Sequence, residues 1–499
     1  MKRYLIIALA AGVAVSACKD NSTVAPQDAP TVDALKNLTT VTLRQLAIGV
    51  TAQDRASFAT TGLLVLPEIL ARDIYRIDAS ENRYVLETLG GQADPGSFAG
   101  GSGFTGFYTG ARAANTAILA LKTAQTAPVP ILRPGQFQSA FGFFRTFKAL
   151  EFYRVLEQRD SIGIPLQTDD PQALTPVYCK PYVLNYIAAL LDSANANLVA
   201  AGTDSILPFG GLPASFKTPA RDYNTTRNFI KFNRGLKGKV DFYRAIQNRA
   251  APDATLLNTA IAELSAALGT AVPGAVPASQ FPVGIYYQFT AVEILNVRAD
   301  AKISANNNFA DSAQFIQVDA AAPFDPTDTR LAKVIFRPDT GTGGLVGNGL
   351  TTRRTLTSAL ATSANQVAPI ALLRDEELVL LRAQAYAELG DATSLANARA
   401  DAQSVHAAYG SNPLPAFTSV AIARRYILRE KRLSLLFEGP QRLVDLRAYG
   451  YLNGNISPLT GKPYLPKELA SDPYNAIFPL PRAELNARNV TTNPACSAS

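Results

Sequence analysis

The sequence predicts a mainly α-helical protein, with helical hairpins forming a scaffold and irregular loops plus a few short strands projecting from it. Three observations point there. Apolar residues recur at helical spacing in a series of long segments. Stretches rich in Gly, Pro, Asn and Thr separate those segments, notably 90–106, 204–226, 270–285 and 322–366. Of the 499 residues, 47% are hydrophobic and 17% charged, enough apolar material for a large core.

In chain order the helical segments fall at roughly 42–58, 107–126, 137–159, 180–200, 227–249, 254–268, 370–390, 393–409 and 419–437. The segment 370–390 carries the logic. Leu378, Leu381, Ala385 and Leu389 make one apolar stripe, and Gly390-Asp391 ends the helix. Ala396, Ala398, Ala400 and Ala402 follow on a partner helix, where small side chains permit close approach. A helix, a tight Gly-Asp turn and an alanine-rich partner make a tetratricopeptide-like hairpin. Long-helix pairs at 137–200 and 227–268 repeat the idea in degenerate form. The stretch 322–366 is too long for a simple connection, so short strands and functional loops are expected there.

The N-terminus reads as an export signal. Lys2 and Arg3 precede an uncharged apolar run from Leu5 to Val15, and Ser16-Ala17-Cys18 completes a lipoprotein cleavage site. The run is short of the ~20 residues a membrane span needs. Cleavage before Cys18 would leave that cysteine as a lipidated N-terminus, with membrane contact through the lipid anchor alone. The expected organisation is a signal peptide at 1–17, a flexible tether at 18–40, and one globular domain at 41–499.

Composition excludes several function classes. The formal charge is +7, falling to +5 without Lys2 and Arg3, and no dense basic cluster suggests nucleic acid. His406 is the only histidine, so histidine-based metal sites and Ser-His or Cys-His catalysis have almost nothing to use. No P-loop, dinucleotide fingerprint or Cys/His cluster is present, and no cofactor or metal is expected. With Cys18 lipidated, Cys179 and Cys496 remain as an even pair in an exported chain. The expectation is a disulfide pinning the C-terminal tail; the alternative is two free thiols.

A set of ordered motifs resembles the SusD/RagB family of nutrient-binding outer-membrane lipoproteins. Phe104-Thr105-Gly106-Phe107-Tyr108 with Asn115, then Arg145 to Tyr153, then Gly163-Ile164-Pro165-Leu166 are similar to its N-terminal part. Asp328-Thr329-Arg330, and Leu373-Arg374, Glu377 and Ala383-Gln384-Ala385 within Pro369 to Gly390, resemble the start of its second half. Phe437-Glu438-Gly439 with Arg442 and Asp445-Leu446-Arg447 is the strongest piece, and Phe478-Pro479-Leu480-Pro481 with Glu484 and Asn486 resembles its closing element. Within the single domain, the resemblance implies an N-terminal part at about 41–225 and a C-terminal part at about 280–499. Read physically, Gly439 suits a left-handed helix cap. Glu438, Arg442, Asp445 and Arg447 are expected to pair among themselves as a structural charge set rather than a catalytic one.

What the resemblance implies is capture of an oligosaccharide or other small oligomer at the outer membrane, and delivery without catalysis to a SusC-like TonB-dependent transporter. Sugar recognition uses flat aromatic faces. The chain has no Trp but 19 Tyr and 24 Phe, and the candidate ligand aromatics in irregular stretches are Phe98, Phe209, Phe216, Tyr223, Tyr286 and Tyr287. The competing reading is a periplasm-facing helical-repeat scaffold for outer-membrane assembly. A hydrolase using carboxylates lacks any pair singled out as acid and base.

Overall fold

The computed structural model describes residues 35 and 37–498, except 79, 92, 97, 167–172, 203–206, 211, 293–294, 296, 301, 306–324, 337–345, 348–349, 352–353, 357–366, 456–464, 466 and 468–471. The signal peptide, Cys18 and most of the tether lie outside the described residues, as does much of 322–366.

The principal helices are α1 (Thr40–Phe58), α2 (Thr105–Gln125), α3 (Pro134–Arg159), α4 (Lys180–Ala200), α5 (Thr226–Ala245), α6 (Ala254–Leu268), α7 (Asp375–Leu389), α8 (Ala392–His406), α9 (Val420–Ser434) and α10 (Gln441–Ala448). Their starts follow capping chemistry. Thr39, Thr225, Asp253, Asp391 and Ser419 each accept a backbone N–H from the first turn of the helix they open. Gly269 and Gly390 close α6 and α7 in the left-handed conformation, with φ of 80° and 79°. Each helix from α1 to α8 packs on the next, and α9 packs on both α7 and α8. The chain is therefore the mainly helical stack of hairpins that the periodicity predicts.

One reading needs correction. Residues 370–374 are not the start of a helix. Ile370–Arg374 form a fully buried strand, paired antiparallel with Gly284–Tyr287, and α7 begins only at Asp375. An apolar run of five residues does not distinguish a buried strand from a buried helical turn. Helix α7 is also sealed on every side, with Asp375, Glu376, Glu377, Arg382 and Gln384 buried beside the apolar residues, rather than showing one apolar stripe. The remaining described strands are short. Ile74–Arg76 pairs with Ile303–Ala305, and Val334–Phe336 pairs with Arg354–Leu356 inside the stretch where strands were expected.

Buried charge organises the helical core. Arg382 on α7 meets Asp401 on α8 at 2.8 Å through two nitrogens, both side chains fully buried, and also donates to Thr270 O beyond α6. Lys239 on α5 bridges Glu157 on α3 (3.2 Å) and Glu377 on α7 (3.0 Å). Cys179 and Cys496 are joined as a disulfide. Beside it, Ser497 donates to Val177 O and accepts from Cys179 N, both at 2.7 Å, so the C-terminal tail lies against the entry to α4.

Candidate functional site

Four of the six aromatics singled out as ligand platforms have no free face. Phe209 (1% exposed) packs on Phe143 and Phe144, and Phe216 (0%) lies between Phe147 and Tyr287. Tyr223 (3%) accepts a hydrogen bond from Arg221, while Tyr287 (0%) donates from its hydroxyl to Asp54. They are core residues. Irregular backbone around an aromatic signals a loop, but Phe209 and Phe216 turn their rings inward onto α3. Tyr286 points to the opposite side of its strand from Tyr287, is half-buried, and donates to Pro282 O at 2.7 Å.

Phe98 is the one that sits in a surface constellation. Its half-buried ring meets the edge of Tyr84 at 4.8 Å, and the Arg83 guanidinium lies 4.4 Å above its face. The Arg76 guanidinium lies 4.1 Å from the Tyr84 ring. A column of cation, aromatic, aromatic and cation results. Such pairs contribute about 0.5–1 kcal/mol each at exposed sites. Carboxylates orient the cations. Arg83 donates to both oxygens of Glu81, Arg76 donates to Asp300 at 2.6 Å, and Lys302 donates to Asp78 at 2.6 Å. The side chains of Arg83 and Lys302 remain 49% and 46% exposed. The pieces come from the short strand Ile74–Arg76, the turn that follows it, the short helix Arg83–Leu86, Phe98, and the approach to Ile303–Ala305.

The electrostatics of this patch favour binding over proton transfer. A hydrogen bond from Lys302, with Ser80 assisting, holds Asp78 well below the usual carboxylate range, and Arg83 does the same for Glu81. Both stay ionised at neutral pH and act as acceptors only. The described carboxyls pushed upward most strongly by burial, Glu68 and Glu151, are sealed in the core, where a substrate cannot reach them. A groove of about 590 Å³ along α6, lined by Ile261, Ala262, Ala266 and Tyr386 among others, contains none of the six candidate aromatics.

The charge set near the C-terminus is structural, but not wired internally as expected. Gly439 is not the expected helix cap, since α9 already ends at Ser434 and Leu435; Phe437 and Gly439 both take positive φ, 61° and 139°, and the Arg298 guanidinium braces the turn by donating to Phe437 O at 2.8 Å. Glu438 pairs with Arg374 (2.9 Å), Arg442 with Asp73 (3.3 Å), Asp445 with Lys431 (2.7 Å), and Arg447 reaches Asp160 (3.9 Å). None pairs with another member of the set. Helix α10 fans Arg442, Asp445 and Arg447 in different directions, and Glu438 sits in the turn before it, so each clamps a different neighbour. Asp328, His406 and Glu430 bring ligand atoms within 4.8 Å of one another, a spacing that could hold a metal ion. Arg330 already fills the place, donating to both Asp328 and Glu430, and the group reads as an ion-pair network.

No protein-family model matches the chain, and no curated protein matches its sequence. Solved structures do. A SusD superfamily protein from Bacteroides fragilis NCTC 9343 superposes with a TM-score of 0.62 at 14% identity, over 92% of this chain and 99% of its own. Another from Bacteroides vulgatus ATCC 8482 gives 0.62 at 13% identity, over 92% and 99%. B. fragilis NanU gives 0.63 at 14% identity, over 94% and 100%. Near-complete coverage on both sides shows that this chain has the fold of the SusD superfamily proteins.

Proposed function

We propose that this chain is a lipid-anchored outer-membrane protein that binds an oligosaccharide or similar small oligomer and hands it, chemically unchanged, to a SusC-like TonB-dependent transporter. Two lines support the reading. The fold matches SusD superfamily structures over almost the whole chain. A surface patch, in which the half-buried Phe98 ring and the exposed side chains of Arg83 and Lys302 rest on the buried Tyr84, combines an aromatic ring with carboxylate-oriented donors, the chemistry that sugar rings and hydroxyls require. The second observation carries the ligand class. Anchoring would run through Cys18, since no described helix is long and apolar enough to cross a membrane.

The test has two arms. Anchored protein is recovered from outer membranes in mild detergent and its bound proteins identified. A stoichiometric β-barrel partner is expected, whereas recovery of barrel-assembly components alone would replace this reading with the periplasmic scaffold. Oligosaccharides are then titrated calorimetrically against the wild type, Phe98→Ala and Arg83→Ala. Each variant is expected to bind about tenfold more weakly, the loss of about 1.4 kcal/mol. Unchanged affinity in both would remove this patch as the site.

A further inference from the structure

His406 is buried at the C-terminal end of α8. Both ring nitrogens face carboxylates. Nε2 lies 3.3 Å from Asp325 Oδ2, while Nδ1 lies 3.2 Å from Glu430 Oε1 and 4.0 Å from Asp328 Oδ2. Asp325 and Asp328 belong to the segment that enters Val334–Phe336, and Glu430 belongs to α9. A neutral imidazole offers one N–H and one lone pair, so one nitrogen would be set lone pair to carboxylate. Only the imidazolium suits both sides.

The surrounding charge leads to the same protonation state. Among the described residues, the other charged groups around the ring are two guanidiniums. Arg330 bonds Asp328 (2.6 and 3.0 Å) and Glu430, and Arg429 lies 3.1 Å from Glu430 Oε1. Tyr409, in the turn after α8, lies under Arg330, and burial holds its phenol neutral. Three carboxylates thus face two guanidiniums and His406, and the set balances only when the ring is protonated. Asp325 cannot take up the proton instead. Burial would raise its carboxyl, but donors from Thr327 (2.9 and 2.6 Å) and Asn412 (both 2.8 Å) hold it well below the usual range.

We propose that His406 is a proton-dependent clasp that ties residues 325–333 to the α8–α9 hairpin when charged and lets the Asp325 end loosen when neutral. Burial alone would lower the imidazole, but contact with Glu430 outweighs burial and the guanidiniums, and the net direction is upward from 6.5. A group raised by folding stabilises fully below its unfolded value and loses that stabilisation as pH climbs through its folded value. The clasp is therefore closed below 6.5 and opens as pH climbs through the raised value of the ring. Arg330 on Ser434 Oγ (2.8 Å) and Lys333 on Leu433 O and Ser434 O (2.7 and 2.9 Å) hold the other end, so the loosening is local.

A lone histidine makes the test direct. The full folded chain, carrying ring-labelled histidine, gives one imidazole signal to follow by NMR. A midpoint above 6.5 is expected, and a midpoint at or below it overturns the proposal. Hydrogen exchange of a 325–333 peptide, corrected for intrinsic rate, is expected to be several-fold faster at pH 8.5 than at pH 6, with an α2 peptide unchanged. Equal protection at both values overturns the proposal. Burial pulls the Lys333 ammonium down to about 7, so it titrates in the same window. In His406→Gln the difference should vanish; loosening that persists there belongs to Lys333 and also overturns the clasp. If that variant does not fold, the wild-type titration and exchange decide alone.

Discussion

Glu151 is sealed in the joint between α1, α2 and α3, and neither of its carboxylate oxygens has a hydrogen-bond partner. Its neighbour across α2 is Gly110, where any Cβ would collide with the carboxyl. Burial first, and the nearby Asp54 charge second, push Glu151 well above the usual carboxylate range. Folding thus favours the protonated form. Stability from this group is complete below the ordinary carboxylate value of about 4.3 and is lost as pH rises through the higher folded value. Glu151→Gln keeps the shape and removes the titration. We expect the margin of its melting temperature over that of the wild type to widen from pH 5 to pH 8.5, since the amide is as unpartnered as the protonated carboxyl but never has to give up a proton. Thermal melts across that range check this, and a margin that shrinks with pH would contradict it.

At the scale of elements, two hairpins share one packing device. On α3, a Cβ at Gly142 would lie 2.5 Å from Leu198 Cγ and 2.9 Å from Ala194 O of α4. On α5, a Cβ at Gly238 would lie 2.6 Å from Leu264 Cγ and 3.2 Å from Ala260 O of α6. In each pair a glycine on the first helix faces Ala and Leu four residues apart on the second, and the axes close over the missing side chain. Mid-helix glycine costs about 1 kcal/mol against alanine, so the close approach is what justifies it. Gly238→Val should therefore destabilise, through overpacking of about 1–3 kcal/mol, despite better helix propensity. Denaturant unfolding measures the loss, and a variant as stable as the wild type would show that the hairpin can open at no cost. The device is written in the sequence only as two isolated glycines within helical patterns. Nothing local marks which residue faces them.

Across the whole molecule, the Cys179–Cys496 disulfide joins residues 317 apart in sequence, so it closes most of the described chain into one loop. Constraining the unfolded state is the model-dependent origin of its stabilisation, typically about 2–4 kcal/mol and larger for long loops. Cys179→Ala with Cys496→Ala should lower stability by that order and free the tail beyond Val490 to proteolysis. Melting with and without reductant, alongside a timed digest, measures both; identical curves would mean that the backbone bonds of Ser497 hold the tail unaided. The same long-range logic runs through the core. Cysteine parity is readable without coordinates, whereas the partners of Glu438, Arg442, Asp445 and Arg447 are not. Each of those charges is neutralised by a residue at least 14 positions away, from Lys431 to Arg447's distant Asp160.

Helical periodicity, caps and turn residues are local, and they sufficed to place α1 to α6, α8 and α9 within a few residues and to specify a mainly helical hairpin scaffold. Burial is not local. Residues 370–374 became a strand because 284–287 offered them a partner; Phe209 and Phe216 became core because their rings turn onto α3, and Tyr287 because its strand faces Phe58 and Asp54 of α1. Phe98 stayed half-buried at the edge of the core, its ring held between Tyr84 and the exposed Arg83. His406 carried no sequence signal beyond being the sole histidine. Only the tertiary structure set it between carboxylates from α9 and from a segment some 80 residues upstream. Secondary structure follows from neighbours in sequence, which the chain states outright; a charge network or a binding face follows from neighbours in space, which the packing of the helices decides.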